Sequence, residues 1–303
     1  MNSCPSKVSV IVPVYKGMDV IEKCLSALEV QTYISEDYEI IVIDNGENPG
    51  IEGLVAQFGQ ARLLREKKPG SYAARNLGII NSCGDIVAFT DADCVPNNDW
   101  IQNGVKSLLL HKKQGAIGGD VRIFTMNPRP TSVELYEQTM SLNQYKYIRY
   151  HKFAVTANLY TFRSVIDVVG MFDEKLKSGG DYEWCQRLRN AGYEVVYAKD
   201  VVVLHPARAT LKQLYLKVTR VVGGVYSYKK NEKSNKKSAV IEDYRYYLDL
   251  MTRKFHVLKR IYQSEEYGGI CNTVRIIYIA GLVKLIQKVE RIRLMFGGGP
   301  KRT

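Results

Sequence analysis

Two short acidic stretches concentrate the groups in this sequence that are able to do chemistry: Thr90-Asp91-Ala92-Asp93, and Gly179-Gly180-Asp181-Tyr182-Glu183-Trp184 further along the chain. Carboxylate oxygens are the ligands that hard divalent cations such as Mg2+ and Mn2+ take. In an extended segment alternate side chains share a face, so Asp91 and Asp93 point to one side with Ala92 turned away. That pair suits a metal ion held against phosphate oxygens, and the second stretch offers a carboxylate able to serve as a base. The apolar run Ile86-Val87-Ala88-Phe89 in front of the first pair places it at the C-terminal tip of a buried strand, where open α/β sheets bind their ligands.

The elements that must hold these groups are legible as alternating patterns. Val8 to Val14, Tyr38 to Asp44, Ala61 to Arg65 and Ile86 to Phe89 read as strands; Val20 to Leu28, Ile51 to Phe58 and Tyr72 to Asn81 read as helices between them. Such βαβ alternation implies a mostly parallel sheet covered on both faces. Beyond Pro96 the spacing predicts a helix over Asp99 to His111, a strand over Ala116 to Phe124, and one polar, tyrosine-rich helix over Ser132 to Tyr150. A strand over Ala154 to Phe162, a helix over Asp181 to Asn190, and short strands over Glu194 to Tyr197 and Val201 to Leu204 complete a sheet whose strands lie out of sequential order. From Leu211 the pattern is helical: Leu211 to Val222, then Tyr244 to Met251, then a last helix with Val274, Tyr278, Leu282, Leu285, Val289 and Ile292. Lys284, Lys288 and Arg291 share another face of that helix, which makes it amphipathic and basic. Asn231 to Ser238 reads as a lysine-rich loop, and Gly297-Gly298-Gly299-Pro300 as the end of order.

With 303 residues, 46% of them hydrophobic, the chain can fill a sizeable core. The six cysteines, Cys4, Cys24, Cys83, Cys94, Cys185 and Cys271, form no CxxC pair, which favours reduced thiols in a cytosolic setting. Met1 to Lys7 is polar and the apolar run after it contains a proline, so no secretory signal is expected. No stretch approaches about 20 uncharged apolar residues, which predicts no membrane-spanning helix. The net charge of +12 is unevenly placed: residues 1–205 carry 22 Lys and Arg against 24 Asp and Glu, whereas residues 206–303 carry 21 against 7. A basic tail on a near-neutral body argues for an anionic surface as partner more than for nucleic acid.

Taken in order, several motifs resemble a family 2 glycosyltransferase of the GT-A fold: Val10-Ile11-Val12-Pro13-Val14-Tyr15, Val42-Ile43-Asp44-Asn45, Gly70-Ser71-Tyr72-Ala73-Ala74-Arg75-Asn76-Leu77-Gly78, Asp91-Ala92-Asp93, and the Gly179 to Trp184 stretch. The resemblance runs from about Val8 to His205. It implies a Rossmann-like, mixed but mostly parallel α/β sheet flanked by helices over residues 1–206, with a nucleotide-binding half over about 1–95 and an acceptor half over about 96–206. Residues 207–303 follow as a basic, mainly helical C-terminal segment.

The resemblance also assigns roles. Pro13, Val14, Tyr15 and Asp44 would frame a nucleoside, Arg75 and Asn76 would face its diphosphate, and Asp91, Ala92 and Asp93 would complete the nucleotide-sugar site. Asp93, with Asp91 and His205, would hold Mn2+ or Mg2+. Asp181 aligns with the general base, second residue of a Glu-Asp pair whose first place is here Gly180. Gly180, Glu183, Trp184 and Asn158 fall where sugar donor or acceptor is contacted. Other readings stay open for several of these residues: Asp44 as a turn residue, Arg75 as a brace for the Asp-rich loop, Asp181 as a helix cap, and Glu183, Trp184 and His205 as structural side chains. The implied activity is inverting, metal-dependent transfer from a nucleotide-sugar, with UDP the usual nucleotide, to a glycan or lipid-linked acceptor in surface polysaccharide or glycolipid synthesis. The basic C-terminus adds an expectation of peripheral attachment at the cytoplasmic face of the membrane. A sugar-1-phosphate nucleotidyltransferase is the alternative enzyme, but Tyr15-Lys16-Gly17-Met18-Asp19 stands where such enzymes keep a glycine-rich basic loop; a non-catalytic glycan or nucleic-acid binder is the other.

Overall fold

The branched run Val8-Ser9-Val10-Ile11-Val12-Pro13-Val14 forms β1 (Val8–Val14), almost wholly buried on both faces as a strand inside a parallel sheet must be. In the computed structural model, which describes residues 6–232 and 268–301, β1 lies between β2 (Tyr38–Asp44) and β4 (Ile86–Thr90), parallel to both. Pairing with β4 ends at Ile11 opposite Phe89. Pro13, which lacks an N–H, therefore stands where β1 pairs on one side only.

The full sheet adds β3 (Ala61–Arg65), β5 (Val95–Pro96), β6 (Gly115–Phe124), β7 (Asn158–Phe162) and β8 (Glu194–Pro206) in the order β3-β2-β1-β4-β7-β6-β8-β5. Only β7 and the two-residue β5 run against the rest, so the tips of β1, β2, β4, β6 and β8 share one edge. Helices α1 (Met18–Glu29), α2 (Ile51–Val55), α3 (Ser71–Ile80), α4 (Trp100–Leu110), α6 (Gln144–His151), α7 (Arg163–Val169) and α8 (Gly180–Asn190) belong to the same unit as the sheet.

Three departures from the sequence reading have local causes. The two short strands expected before His205 are one strand, because residues 199–201 bulge opposite the Gly119–Asp120 step and pairing resumes at Val202. The expected helix over Ser132 to Tyr150 is two, α5 (Ser132–Met140) and α6: Leu142 takes a positive φ of 43°, and the Asn143 side chain caps the second helix by accepting from Lys146 N. The short helix α7 has no counterpart in the sequence reading.

The chain divides into two compact units. The sheet unit takes the residues up to Phe124, Leu142–Lys175 and Gly180–Pro206; the second takes Thr125–Ser141, Leu176–Gly179 and the residues from Ala207 onward. Within the second, α5, α9 (Leu211–Glu232) and α10 (Ile270–Met295) bury Val133, Leu214, Val218, Val222, Ile279 and Val283 against one another. Glu137 is fully buried there and accepts from both Arg208 and Lys217 at 2.8 Å. Burial alone would push its carboxyl up, but the two cations hold it down at about 2. By length and composition alone α10 is apolar enough to cross a membrane, although Arg275, Lys284 and Lys288 interrupt its apolar residues. The lysine-rich loop expected over 231–238, beyond its first two residues, and the helix expected over 244–251 lie outside the described residues.

Candidate active site

Asp91 and Asp93 follow the last residue of β4 and are both half-exposed at the strand tip. The short β5 begins two residues later and pairs antiparallel with β8, Val95 opposite Leu204. That pairing sets Asp93 beside His205, whose Nε2 is 3.7 Å from Asp93 Oδ2. The distance is too long for a hydrogen bond and within the span of two ligands on one cation, each about 2.1 Å from it. His205 is buried, and its Nδ1 lies 2.8 Å from the Pro206 carbonyl. A carbonyl only accepts, so Nδ1 carries a proton, and Nε2 is the ring nitrogen that faces Asp93. These residues fit a divalent cation. The Cys94 thiol lies in the same cluster, but burial, with Asp91 and Asp93 nearby, pushes it well above the ordinary thiol range. Sulfur is a soft donor and a poor match for a hard ion.

Helix α3 serves both acidic stretches from successive turns. Its Arg75 side chain, 5% exposed, places Nη2 2.5 Å from Asp91 Oδ1, while its buried Nε has no partner among the described residues. Three residues earlier, Tyr72 Oη accepts from the backbone N of Gly180, at 2.8 Å, at the start of α8. Asp181 follows in the first turn of α8; its carboxylate accepts from Thr156 Oγ1 at 3.2 Å and Thr156 N at 3.4 Å. Burial raises the Asp181 pKa, Arg75 opposes the rise, Asp91 adds to it, and the Thr156 hydrogen bonds lower it. The structure thus draws Asp181, Arg75, Asp91, Asp93 and His205 into one region.

Other expected site residues are placed differently. The Asp44 carboxylate is buried and accepts from Gly46 N, Asn48 N and Asn48 Nδ2, so it holds the turn after β2 and not an open nucleoside pocket. Gly46 is required there, since a Cβ would fall 1.3 Å from the Tyr15 carbonyl oxygen. Pro13 and Val14 end β1, and Tyr15 beside this turn is 53% exposed. Asn76 does not face a phosphate: it is buried, and its amide exchanges hydrogen bonds with the Phe172 backbone and donates to Glu174. Asn158 is fully buried, with Trp100 Nε1 donating to its Oδ1 and its Nδ2 donating to the Asp120 and Val201 carbonyls. Trp184 is 1% exposed and donates to the Gly170 carbonyl, so it cannot stack on a sugar. Glu183 is committed to Arg187 at 2.6 Å. Gly180 is packed under Tyr72, where a Cβ would lie 2.6 Å from a ring carbon, so a glutamate side chain does not fit at that place without a shift of the ring. Ala92 packs its methyl against the sheet core.

Three residues to which the sequence reading assigned no role complete the site. Thr156 orients Asp181, and Tyr72 fixes the start of its helix. Asn45 ties the tip of β2 to the loop before α3, accepting from Gly70 N and donating to the Glu66 and Lys68 carbonyls. All three act through hydrogen bonds between segments distant in sequence, which residue type and spacing do not reveal.

A mostly parallel sheet with an Asp-X-Asp pair at a central strand tip, and a lone carboxylate at a facing helix start, defines a GT-A type glycosyltransferase. The sequence profile described as Glycosyl transferase family 2 matches residues 9–170, and the chain belongs to that family. It is 39% identical over 213 residues to the glycosyltransferase AglE of Haloferax volcanii, covering 69% of each chain. Among solved structures, the mannosyltransferase PcManGT of Pyrobaculum calidifontis, in complex with GDP-Man and Mn2+, is similar with a TM-score of 0.63 at 18% identity, over 96% of this chain and 87% of that one. Residues 1–349 of TarS from S. aureus, in complex with UDP-GlcNAc, give a TM-score of 0.53 at 17% identity, over 72% and 64%. At such identities these two establish the fold. Family membership decides for glycosyl transfer over the nucleotidyltransferase and binding-module alternatives.

Proposed function

We propose that this chain transfers a glycosyl group from a nucleoside-diphosphate sugar to an acceptor hydroxyl with inversion, using Asp181 as the base. The observation that carries the reading is the shared cation: Arg75 touches Asp91 and also acts on the charge of Asp181, so the metal-binding pair and the base form one electrostatic unit. Asp181 takes the proton of the acceptor hydroxyl as its oxygen bonds to the anomeric carbon. The bond from that carbon to the diphosphate breaks on the opposite face, and its electron pair leaves with the diphosphate. Asp93 and His205, with Asp91 held by Arg75, are the residues that would hold Mn2+ or Mg2+. When bound, such an ion stabilises charge on the leaving diphosphate as a Lewis acid. Pro13, Val14 and Tyr15 frame the nucleoside side of the cleft beside the Asp44 turn, and the acceptor is a glycan or lipid-linked saccharide of a surface polysaccharide or glycolipid. Both UDP and GDP sugars are candidates, because the two solved structures carry one of each.

The test combines binding with turnover. A nucleoside diphosphate at about 100 times its dissociation constant should stabilise the protein by about 2.7 kcal/mol in a thermal-shift assay with Mn2+. Asp181→Asn should keep that shift while release of nucleoside diphosphate from the donor sugar falls by about 10²- to 10⁴-fold. Wild-type turnover in Asp181→Asn would remove Asp181 as the base.

A further inference from the structure

Helix α10 is apolar on two opposite sides, and the described residues of its own unit bury only one. Ile276, Ile279, Val283 and Leu294 are buried against α5 and α9. Val274, Tyr278, Leu285, Val289, Ile292 and Phe296 are exposed, and their steps of three, four and seven align them along the opposite side. Lys284, Lys288 and Arg291, also at steps of four and three, run along one edge of that outward stripe. The one acidic residue of the helix, Glu290, is turned inward and pairs with Arg293 at 2.6 Å. An outward face this apolar is unusual for a soluble surface, and the charged residues that α10 itself places along its edge are basic.

We infer that the outward stripe of α10 is a docking face for a bilayer surface containing anionic lipid. The helix would lie in the plane of the interface, its apolar side chains among the acyl chains and its lysines reaching up to the headgroups. Charge complementarity selects this occupant. Residues 206–303 carry 21 basic against 7 acidic side chains, so a second copy brought face to face would meet like charge, whereas anionic headgroups meet opposite charge. Length and composition alone would also let α10 span a membrane. Its inward side is already occupied by α5 and α9, and the buried Glu290 carboxylate sits on that side, so one face only is available to lipid.

The test uses the full chain without any nucleotide-sugar, so its outcome is separate from that of the proposed reaction. Vesicles of phosphatidylcholine, and of an equal mixture with phosphatidylglycerol, are sedimented with the protein, whose oligomeric state is followed by light scattering. Expected are binding to the mixed vesicles at least about tenfold tighter than to neutral ones, weakening with salt, and release by alkaline carbonate. Leu285→Glu with Ile292→Glu should abolish binding while the melting temperature holds, since both side chains are exposed. Lys284→Gln and Lys288→Gln should each lower the preference for anionic vesicles by about fivefold. The inference is overturned if wild-type protein ignores mixed vesicles, if the double Glu variant binds as well as wild type, if carbonate fails to release the protein, or if the wild type is a dimer that the double variant disrupts.

Discussion

Arg75 Nη2 lies 2.5 Å from Asp91 Oδ1, and the same guanidinium is the charge that restrains the rise of the Asp181 pKa. A single buried cation therefore pairs with one carboxylate of the site and opposes the effect of burial on the other, the two coming from a strand tip and a helix start. Of the two readings of Arg75, the brace for the Asp-rich loop is the contact the structure shows.

Replacing Arg75 by Gln should act on both partners. Asp91 would lose its anchor, so donor KM should rise by about tenfold or more, consistent with losing a charge-assisted hydrogen bond worth about 1.5–3 kcal/mol. Asp181 would lose the cation that favours its ionised form, so the acid limb of kcat should move to higher pH. A pH–rate profile with saturating donor separates the two effects; an unmoved acid limb would sever Arg75 from Asp181.

Thr156 offers a cleaner handle on the base. Its two hydrogen bonds favour the Asp181 carboxylate, so Thr156→Val, which removes the hydroxyl and keeps the backbone donor, should raise the Asp181 pKa further. Activity requires the carboxylate, so the acid limb should move up while the alkaline limb stays. The stability effect has the matching sign. The folded pKa is raised above the ordinary 3.8, so the folded protein holds the Asp181 proton more tightly, and stability is lost as pH rises from that value through the folded one. Urea titrations across that window should show a steeper loss in Thr156→Val than in wild type.

Gly180 and Tyr72 should behave as a coupled pair. Tyr72→Phe leaves the buried Gly180 N–H without its acceptor at a cost of about 1–3 kcal/mol. Gly180→Ala drives a Cβ into the Tyr72 ring and should cost a similar amount. Tyr72→Ala with Gly180→Glu, which rebuilds the Glu-Asp pair of the family, should be more stable than the two single changes predict when added. A double-mutant cycle by chemical denaturation measures this, and strict additivity would separate the two positions.

The strands that carry the site were the most readable part of the sequence, because a strand buried on both faces must be a continuous apolar run, as in β1, β2 and β4. The carboxylates at their tips were legible for the same reason. Less legible was what each polar side chain touches. Asp44, Asn76 and Asn158 are of types that serve a ligand or a turn equally well, and only the fold reveals that their hydrogen-bonding groups are committed to backbone and side-chain partners within the protein. Trp184 and Glu183 sit beside Asp181 in sequence, but on a helix adjacent residues point 100° apart, so they leave the cleft for the packing against α7 and for Arg187. The two-residue β5 was too short for any pattern to announce, although it sets Asp93 beside His205.

The interleaving of the two units bears on how the protein can be inherited. The helical unit draws α5 from inside the sheet unit's stretch of chain, and Glu137 on that helix has its counter-charges, Arg208 and Lys217, beyond residue 206. A chain ending at 206 would keep the carboxylates of the site yet strand a buried acid and the apolar side of α5 without their cover. The C-terminal helices are thus no detachable module that evolution could swap among catalytic domains by simple fusion; any exchange would have to replace residues 125–141 at the same time.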